Sequence, residues 1–98
     1  MLVVIATLQG KPEKRDVIAP ALAKAAAASR SDAGCLSYTF TQDLEDPDRF
    51  LSVELWEDKA SLDAHFTQPH LGELFGVLGD ALAGSPQITT YESSGPLS

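Results

Sequence analysis

The sequence has little of several features that would mark particular classes of protein. It contains one cysteine in 98 residues, so an intrachain disulfide cannot form and a reducing compartment is expected. Its apolar runs are only a few residues long, far below the roughly 20 residues needed to span a bilayer, and no secretory signal pattern is visible. These absences predict a cytoplasmic protein that does not enter a membrane.

Positive charge is scarce as well. Seven Lys and Arg stand against fourteen Asp and Glu, which gives a formal net charge of -7. A surface of this sign repels a phosphate backbone, so we do not expect nucleic acid as a partner. The glycine-rich loop that follows a strand and holds phosphates is also missing, so no site for a nucleotide cofactor is predicted.

Apolar residues make up 44% of the sequence, which is enough to form one compact domain. We assign this domain to residues 1–98. A chain this short has little stability to spare, which favours association with a second copy. Met1 to Leu8 is rich in Val and Ile and predicts a buried strand. From Val17 onward apolar residues recur at helical spacing, although Pro20 should bend or shorten that helix.

Two further strands are predicted next along the chain. Cys35 to Gln42 alternates between apolar and polar residues, which places Leu36, Tyr38 and Phe40 on one predicted face. Phe50 to Trp56 repeats the pattern after a short acidic loop, so the two runs predict an antiparallel hairpin. Gln87 to Glu92 is predicted as the last strand, with 93–98 as a tail.

The segment between these strands predicts two short helices separated by Pro69. Asp58 can cap the first helix. Its inward face would carry Leu62, His65 and Phe66. The second helix has apolar residues at spacings of three and four, namely Leu71, Leu74, Phe75, Leu78 and Leu82.

The order of elements predicts an α+β fold of the ferredoxin-like type, βαββαβ, with a four-stranded antiparallel sheet. Helices would cover one face of this sheet. The other face carries aromatic and β-branched residues, so pairing with a second sheet to give a homodimer is the natural way to bury it.

The residues best suited to chemistry are Trp56, His65 and His70, which fall within eighteen residues of each other. Trp56 could pack in the core, line a pocket or do both. His65 is expected to point inward, either as a proton acceptor near neutral pH or as a buried core histidine. His70 follows Pro69 and could be a turn or capping residue.

A metal site is not expected. The two histidines are five residues apart across a proline, which does not place them on one helix face as an i, i+4 spacing would. Cys35 opens a strand without an adjacent basic residue, so a reactive thiolate is not predicted either.

The sequence resembles the antibiotic biosynthesis monooxygenase domain family, including its quinol monooxygenase-like members. The resemblance is carried by VVIATLQGKPEKRD, DAGCLSYTFTQDLEDPDRFLSVELWED and LDAHFTQPHL in this order. It implies a homodimer forming a dimeric α+β barrel. It also implies oxidation of a quinol or polycyclic phenol by O2 without metal, flavin or other cofactor, because the deprotonated substrate itself supplies the electrons.

Carried over to this sequence, the resemblance implies that Trp56 lines the pocket and positions the ring and that His65 accepts a proton. His70 would orient the site or bind the substrate. The walls would be Tyr38, Phe66, Leu71 and Phe75. Haem-degrading relatives use an asparagine on the first strand, and this chain contains no asparagine, which argues against that activity.

Two alternatives share the same scaffold. The chain could be a non-catalytic dimeric protein that binds a small molecule or acts in stress, or it could be an isomerase. The fold does not choose among these reactions, since unrelated functions recur on one fold.

Overall fold

The computed structural model describes residues 1–97; Ser98, the last residue of the predicted tail, lies outside the described residues. The strands are β1 (Leu2–Gln9), β2 (Cys35–Gln42), β3 (Arg49–Trp56) and β4 (Gln87–Glu92). The helices are α1 (Arg15–Ser29), α2 (Lys59–His65) and α3 (Pro69–Leu78), and a 3₁₀ turn, Pro12–Lys14, precedes α1. None of the helices in residues 1–97 is long and apolar enough to cross a membrane.

The four strands form one antiparallel sheet in the order β2-β3-β1-β4. This confirms the predicted ferredoxin-like α+β fold. Met1 and Ser93 lie next to each other at the end of the β1–β4 pair, where the backbone N–H of Ser93 donates to the carbonyl of Met1 at 2.8 Å.

The helices cover one face of the sheet, which we call the inner face. It presents alternate residues of the two central strands: Val4, Ala6, Leu8, Phe50, Ser52, Glu54 and Trp56. One part of the core packs Leu8 and Phe50 against α1 and α3. The other packs Val4 and Trp56 against Ala26 of α1 and against α2.

The strand that begins at Cys35 departs from the predicted alternation at one point. A β-bulge lies between Cys35 and Ser37, because Cys35 pairs with Trp56 while Ser37 pairs with Leu55. The extra residue is Leu36, which is 52% exposed. The prediction that Leu36 shares a face with Tyr38 and Phe40 was therefore wrong, since a bulge breaks the period of two.

Helix α1 runs without interruption through Pro20 to Ser29, so the expectation that the proline shortens the helix was wrong. Pro20 lies on the exposed side, where water can hydrogen-bond the carbonyl that loses its N–H partner. The buried side of α1 is formed by residues at helical spacing, which are Ile18, Leu22, Ala25, Ala26 and Ser29.

The two predicted short helices are present, with corrections at their ends. Asp58 caps α2 as predicted, its carboxylate accepting from the backbone N–H of Ser61 at 2.8 Å. Phe66 follows the last residue of α2 and is 43% exposed, so it does not share the buried face of Leu62 and His65. Leu82 lies beyond the end of α3, because the chain turns after Leu78 to form a β-bridge between Leu82 and Gly10.

The turn between α1 and β2 is held against α2 at Gly34. This residue has a φ of 80°, a region that residues with a Cβ rarely adopt. A Cβ at this position would also overlap the side chain of Ser61. The turn that carries Asp32 therefore depends on glycine for both its conformation and its close approach to α2.

Replacement of Gly34 by alanine is expected to lower the free energy of unfolding by about 2 kcal/mol or more, since it adds left-handed strain to a steric overlap. Urea denaturation measures the loss. Gly72→Ala is the matched control, because its Cβ would point into open space within α3, where alanine is favoured by up to about 1 kcal/mol. Equal stability of the two variants would contradict this account.

Candidate functional site

A cavity lies between the inner face of the sheet and helices α2 and α3. Its free volume is about 30 Å³, which is room for a water molecule rather than a ring. Most of the wall is apolar, and the polar groups are few. The lining residues are Ala6, Leu8, Tyr38, Phe40, Ser52, Glu54, His65, Phe66, Leu71, Leu74, Phe75, Leu78, Pro86 and Ile88.

His65 is the cavity residue best suited to move a proton. Its side chain is 1% exposed, and Nδ1 lies 2.7 Å from Oδ2 of Asp32. Because a carboxylate only accepts hydrogen bonds, this contact assigns a proton to Nδ1, and in the neutral imidazole Nε2 is then an acceptor. Nε2 is buried and has no hydrogen-bond partner among residues 1–97. A buried acceptor without a donor is rare unless a ligand supplies one.

Asp32 fixes the orientation of this imidazole. Its own backbone is held in the turn, since its N–H donates to Ser29 and its carbonyl accepts from Cys35. The same oxygen, Oδ2, also lies 3.0 Å from Nε2 of His70. One carboxylate therefore joins both histidines, and nothing in the local sequence pattern around Asp32 indicated this role.

A second carboxylate reaches the cavity from β3. Glu54 is 4% exposed, and its oxygens accept from Ser52 Oγ at 2.8 Å and from Trp56 Nε1 at 3.0 Å. No Lys, Arg or His of residues 1–97 forms an ion pair with it. A buried carboxylate without a cation beside it is uncommon in protein interiors, which makes Glu54 a candidate site residue.

The sequence did contain a signal for Glu54. It falls on the inward-facing positions of β3, between Ser52 and Trp56, where apolar residues are expected. A charged residue at an inward position of an alternating strand is unusual enough to nominate a site.

Trp56 lies behind the cavity wall. It is fully buried with Val4, Tyr38 and other core residues. Its ring centroid is 4.6 Å from that of His65, with the planes at 43°. Trp56 therefore contacts His65 and Glu54, two of the polar residues that line the cavity, but it is not a lining residue itself.

Of the six other predicted site residues, five line the cavity and one does not. His65, Tyr38, Phe66, Leu71 and Phe75 all line the cavity. Phe66 and Phe75 are each 43% exposed, so they form its mouth. His70 is not among the lining residues and contacts Asp32 instead.

Two further ionisable groups near the cavity are held in their neutral forms. Burial and the nearby Glu54 carboxylate raise the pKa of Tyr38 well above its usual range. Burial and Asp32 raise the pKa of the Cys35 thiol, which agrees with the prediction that this cysteine is not a nucleophile. Tyr38 is thus available as a hydrogen-bond donor but not as a base.

The fold and the site together define a class of protein: a ferredoxin-like subunit with an apolar cavity between its sheet and helices, in which a few proton acceptors are enclosed. The family model for antibiotic biosynthesis monooxygenase matches residues 1–75. The chain belongs to this family, which confirms the resemblance stated above.

Individual relatives agree with this assignment. The crystal structure of an antibiotic biosynthesis monooxygenase superposes with a TM-score of 0.91 at 28% identity, covering 97% of this chain and all (100%) of that one. A conserved protein from Methanosarcina mazei gives a TM-score of 0.88 at 30% identity, covering 95% and 92%. An uncharacterized Synechocystis protein is 33% identical over 93% of this chain, which spans 62% of that protein's length.

The raised pKa of Tyr38 predicts a loss of stability at alkaline pH. The folded state keeps the phenol proton that the unfolded chain releases near pH ~10, so the stabilising contribution of this group is lost as the pH rises above that value. Tyr38→Phe should remove up to about 1.4 kcal/mol per pH unit of that dependence. Urea denaturation of both proteins between about pH 9 and 11 measures the slopes, and identical slopes would contradict the assignment.

Proposed function

We propose that this chain is a cofactor-independent monooxygenase that oxidises a quinol or polycyclic phenol with O2. The observation that carries the proposal is His65, a residue of the apolar cavity wall whose buried Nε2 has no hydrogen-bond partner among residues 1–97. A phenolic hydroxyl placed there would donate to it, and Asp32 would stabilise the imidazolium that forms on proton transfer.

Glu54, the second hydrogen-bond acceptor of the cavity, favours a substrate that is uncharged and carries hydroxyl groups. Glu54 would accept from a further hydroxyl while Tyr38 donates to an oxygen. An anionic substrate would meet the Glu54 carboxylate in a region of low dielectric, where repulsion between like charges is strong. The apolar walls favour a flat ring.

The reaction requires no outside reductant. Transfer of the phenolic proton to His65 gives an electron-rich anion, which reduces O2 and combines with it at a ring carbon to form a peroxide. The imidazolium returns its proton to the distal oxygen, and loss of water from the hydroperoxide leaves a carbonyl. A ring C–H ortho or para to the phenolic oxygen thus becomes C=O, one oxygen atom enters the product and the other leaves as water.

Entry of a ring requires the cavity to widen. The free volume of about 30 Å³ is too small for it, and the side chains that can move with least cost are the half-exposed Phe66 and Phe75 at the mouth. We propose that these rings swing outward and then close on the substrate, which would exclude water from His65 and Glu54.

We also propose that the chain works as a homodimer with the two sheets face to face, as in a dimeric α+β barrel. The outer face of the sheet is uncovered in the described chain. Its central positions are apolar, with Val3 beside Leu55 and Ile5 beside Val53 in the strand register. Val53 and Tyr91 of this face are 40% and 54% exposed, and a second copy would bury both.

The monooxygenase proposal predicts O2 uptake when purified protein is given quinols and anthrone-type phenols. His65→Gln should lower the rate by about 100-fold or more, because general-base catalysis contributes this much. An oxygen electrode measures the rate, and ¹⁸O2 should place one labelled atom in the product. Asp32→Asn should give a smaller loss, since it changes only the orientation and stabilisation of the imidazole.

Asp63→Asn is the matched control. It removes a carboxylate of the same helix that pairs with Lys59 on the surface, so its rate should equal that of the wild type. Failure of every substrate to consume O2 above the buffer rate, or an unchanged rate in His65→Gln, would reject the proposal. Tight binding without turnover would favour the non-catalytic alternative, and product formation without O2 would favour an isomerase.

The dimer proposal predicts twice the monomer mass by light scattering at micromolar concentration. Val53→Asp should produce monomers, because it places a charge at the centre of the buried sheet face. Leu44→Asp makes the same chemical change in the exposed loop between β2 and β3 and should leave the dimer intact. A wild-type monomer would contradict the proposed assembly.

A further inference from the structure

Asp32, His65 and His70 bring three ligand atoms to one point. Oδ2 of Asp32 lies 2.7 Å from Nδ1 of His65 and 3.0 Å from Nε2 of His70, and the three atoms all lie within 4.8 Å of one another. We propose that these side chains form a binding site for a divalent transition-metal ion of the zinc type, with a fourth position open to water.

The ligand chemistry favours this kind of ion. Two imidazole nitrogens and one carboxylate oxygen suit Zn²⁺ and its neighbours Co²⁺ and Ni²⁺, whereas Ca²⁺ and Mg²⁺ prefer oxygen atoms throughout. Three protein ligands with water in the fourth position are the arrangement of catalytic zinc sites, whereas structural zinc sites have four protein ligands.

The three ligands come from separate segments that the fold brings together. Asp32 lies in the turn after α1, His65 on the last turn of α2 and His70 on the first turn of α3. Two histidines five residues apart do not share a face of one continuous helix. Here the chain turns between Phe66 and Gln68, and this turn directs His70 back to the same carboxylate.

The geometry needs only a small adjustment. Bonds of about 2.0–2.1 Å in a tetrahedral site place neighbouring ligand atoms about 3.3 Å apart. The separations of 2.7 and 3.0 Å would open by about 0.6 and 0.3 Å to reach this value, and the two nitrogens, now within 4.8 Å of each other, would take the same spacing. His70 is 20% exposed on its side chain, whereas His65 is 1% exposed. His70 can therefore move, and an ion can enter from its solvent side.

Metal binding and the proposed base role of His65 exclude each other. An ion on Nδ1 replaces the proton that Asp32 now accepts, and the neutral imidazole then carries its proton on Nε2. That nitrogen would face the cavity as a donor and could not take a proton from a phenol. The ion would therefore inhibit the proposed oxidation rather than assist it.

The test uses the full chain after treatment with a chelator and does not depend on an organic substrate. Calorimetric titration with Zn²⁺ should show one ion per chain, and Co²⁺ should give the visible absorption of a four-coordinate site. His70→Gln should weaken binding by about 100-fold, and Asp32→Asn by at least as much. Glu73→Gln, which alters an exposed carboxylate that pairs with Lys24, should bind like the wild type.

Absence of saturable binding by the wild type would overturn the proposal. So would unchanged affinity in His70→Gln, because the ion would then be held by surface carboxylates. Circular dichroism establishes that the variants fold. If Asp32→Asn does not, the partly exposed His70 decides the outcome alone.

Discussion

The short contact between Asp32 and His65 is the interaction on which the site depends. It joins the turn after α1 to the end of α2 and holds the imidazole of His65 at the wall of the cavity. It also determines which imidazole nitrogen carries the proton, so the same hydrogen bond sets both the position and the chemistry of Nε2. The close packing of Gly34 against Ser61 is what allows the turn to come near enough for this contact.

Glu54 and Trp56 support the same cavity from the sheet. The indole N–H satisfies one oxygen of the carboxylate, and the indole ring packs against the imidazole of His65. Trp56 is therefore a positioning residue for both acceptors. The burial of Glu54 opposes folding, because a carboxylate loses its hydration there and gains two hydrogen bonds but no cation. Because a domain of this size has little stability to spare, a buried carboxylate that opposes folding is expected only where it has a role in the site.

The same carboxylate of Asp32 can serve two different partners, a proton or a metal ion. With protons on the facing imidazole nitrogens, His65 can act as a base towards the cavity. With an ion between them, it cannot. Such competition at one oxygen atom would couple the chemistry of the cavity to the supply of transition metal, and it would do so without a change of fold.

Much of the fold could be predicted from periodicity. The strand Cys35–Gln42, the strand Gln87–Glu92 and the cap at Asp58 were read correctly, because alternation and capping depend on neighbours in the sequence. The bulge at Leu36, the uninterrupted helix through Pro20 and the early end of α3 were missed. Each depends on packing or solvent exposure that a local pattern does not contain.

For the site, the helical period of the sequence by itself determined that His65 points inward, because that period depends only on neighbouring residues. The family resemblance assigned Tyr38, Phe66, Leu71 and Phe75 to the walls, and all four line the cavity together with His65. Only the tertiary structure showed that Asp32 joins His65 to His70, and that Glu54 shares the cavity while Trp56 lies behind it. Asp32 and His65 are 33 residues apart in the chain. A contact over that distance is decided by how a turn packs against a helix, and no local pattern of residues records it.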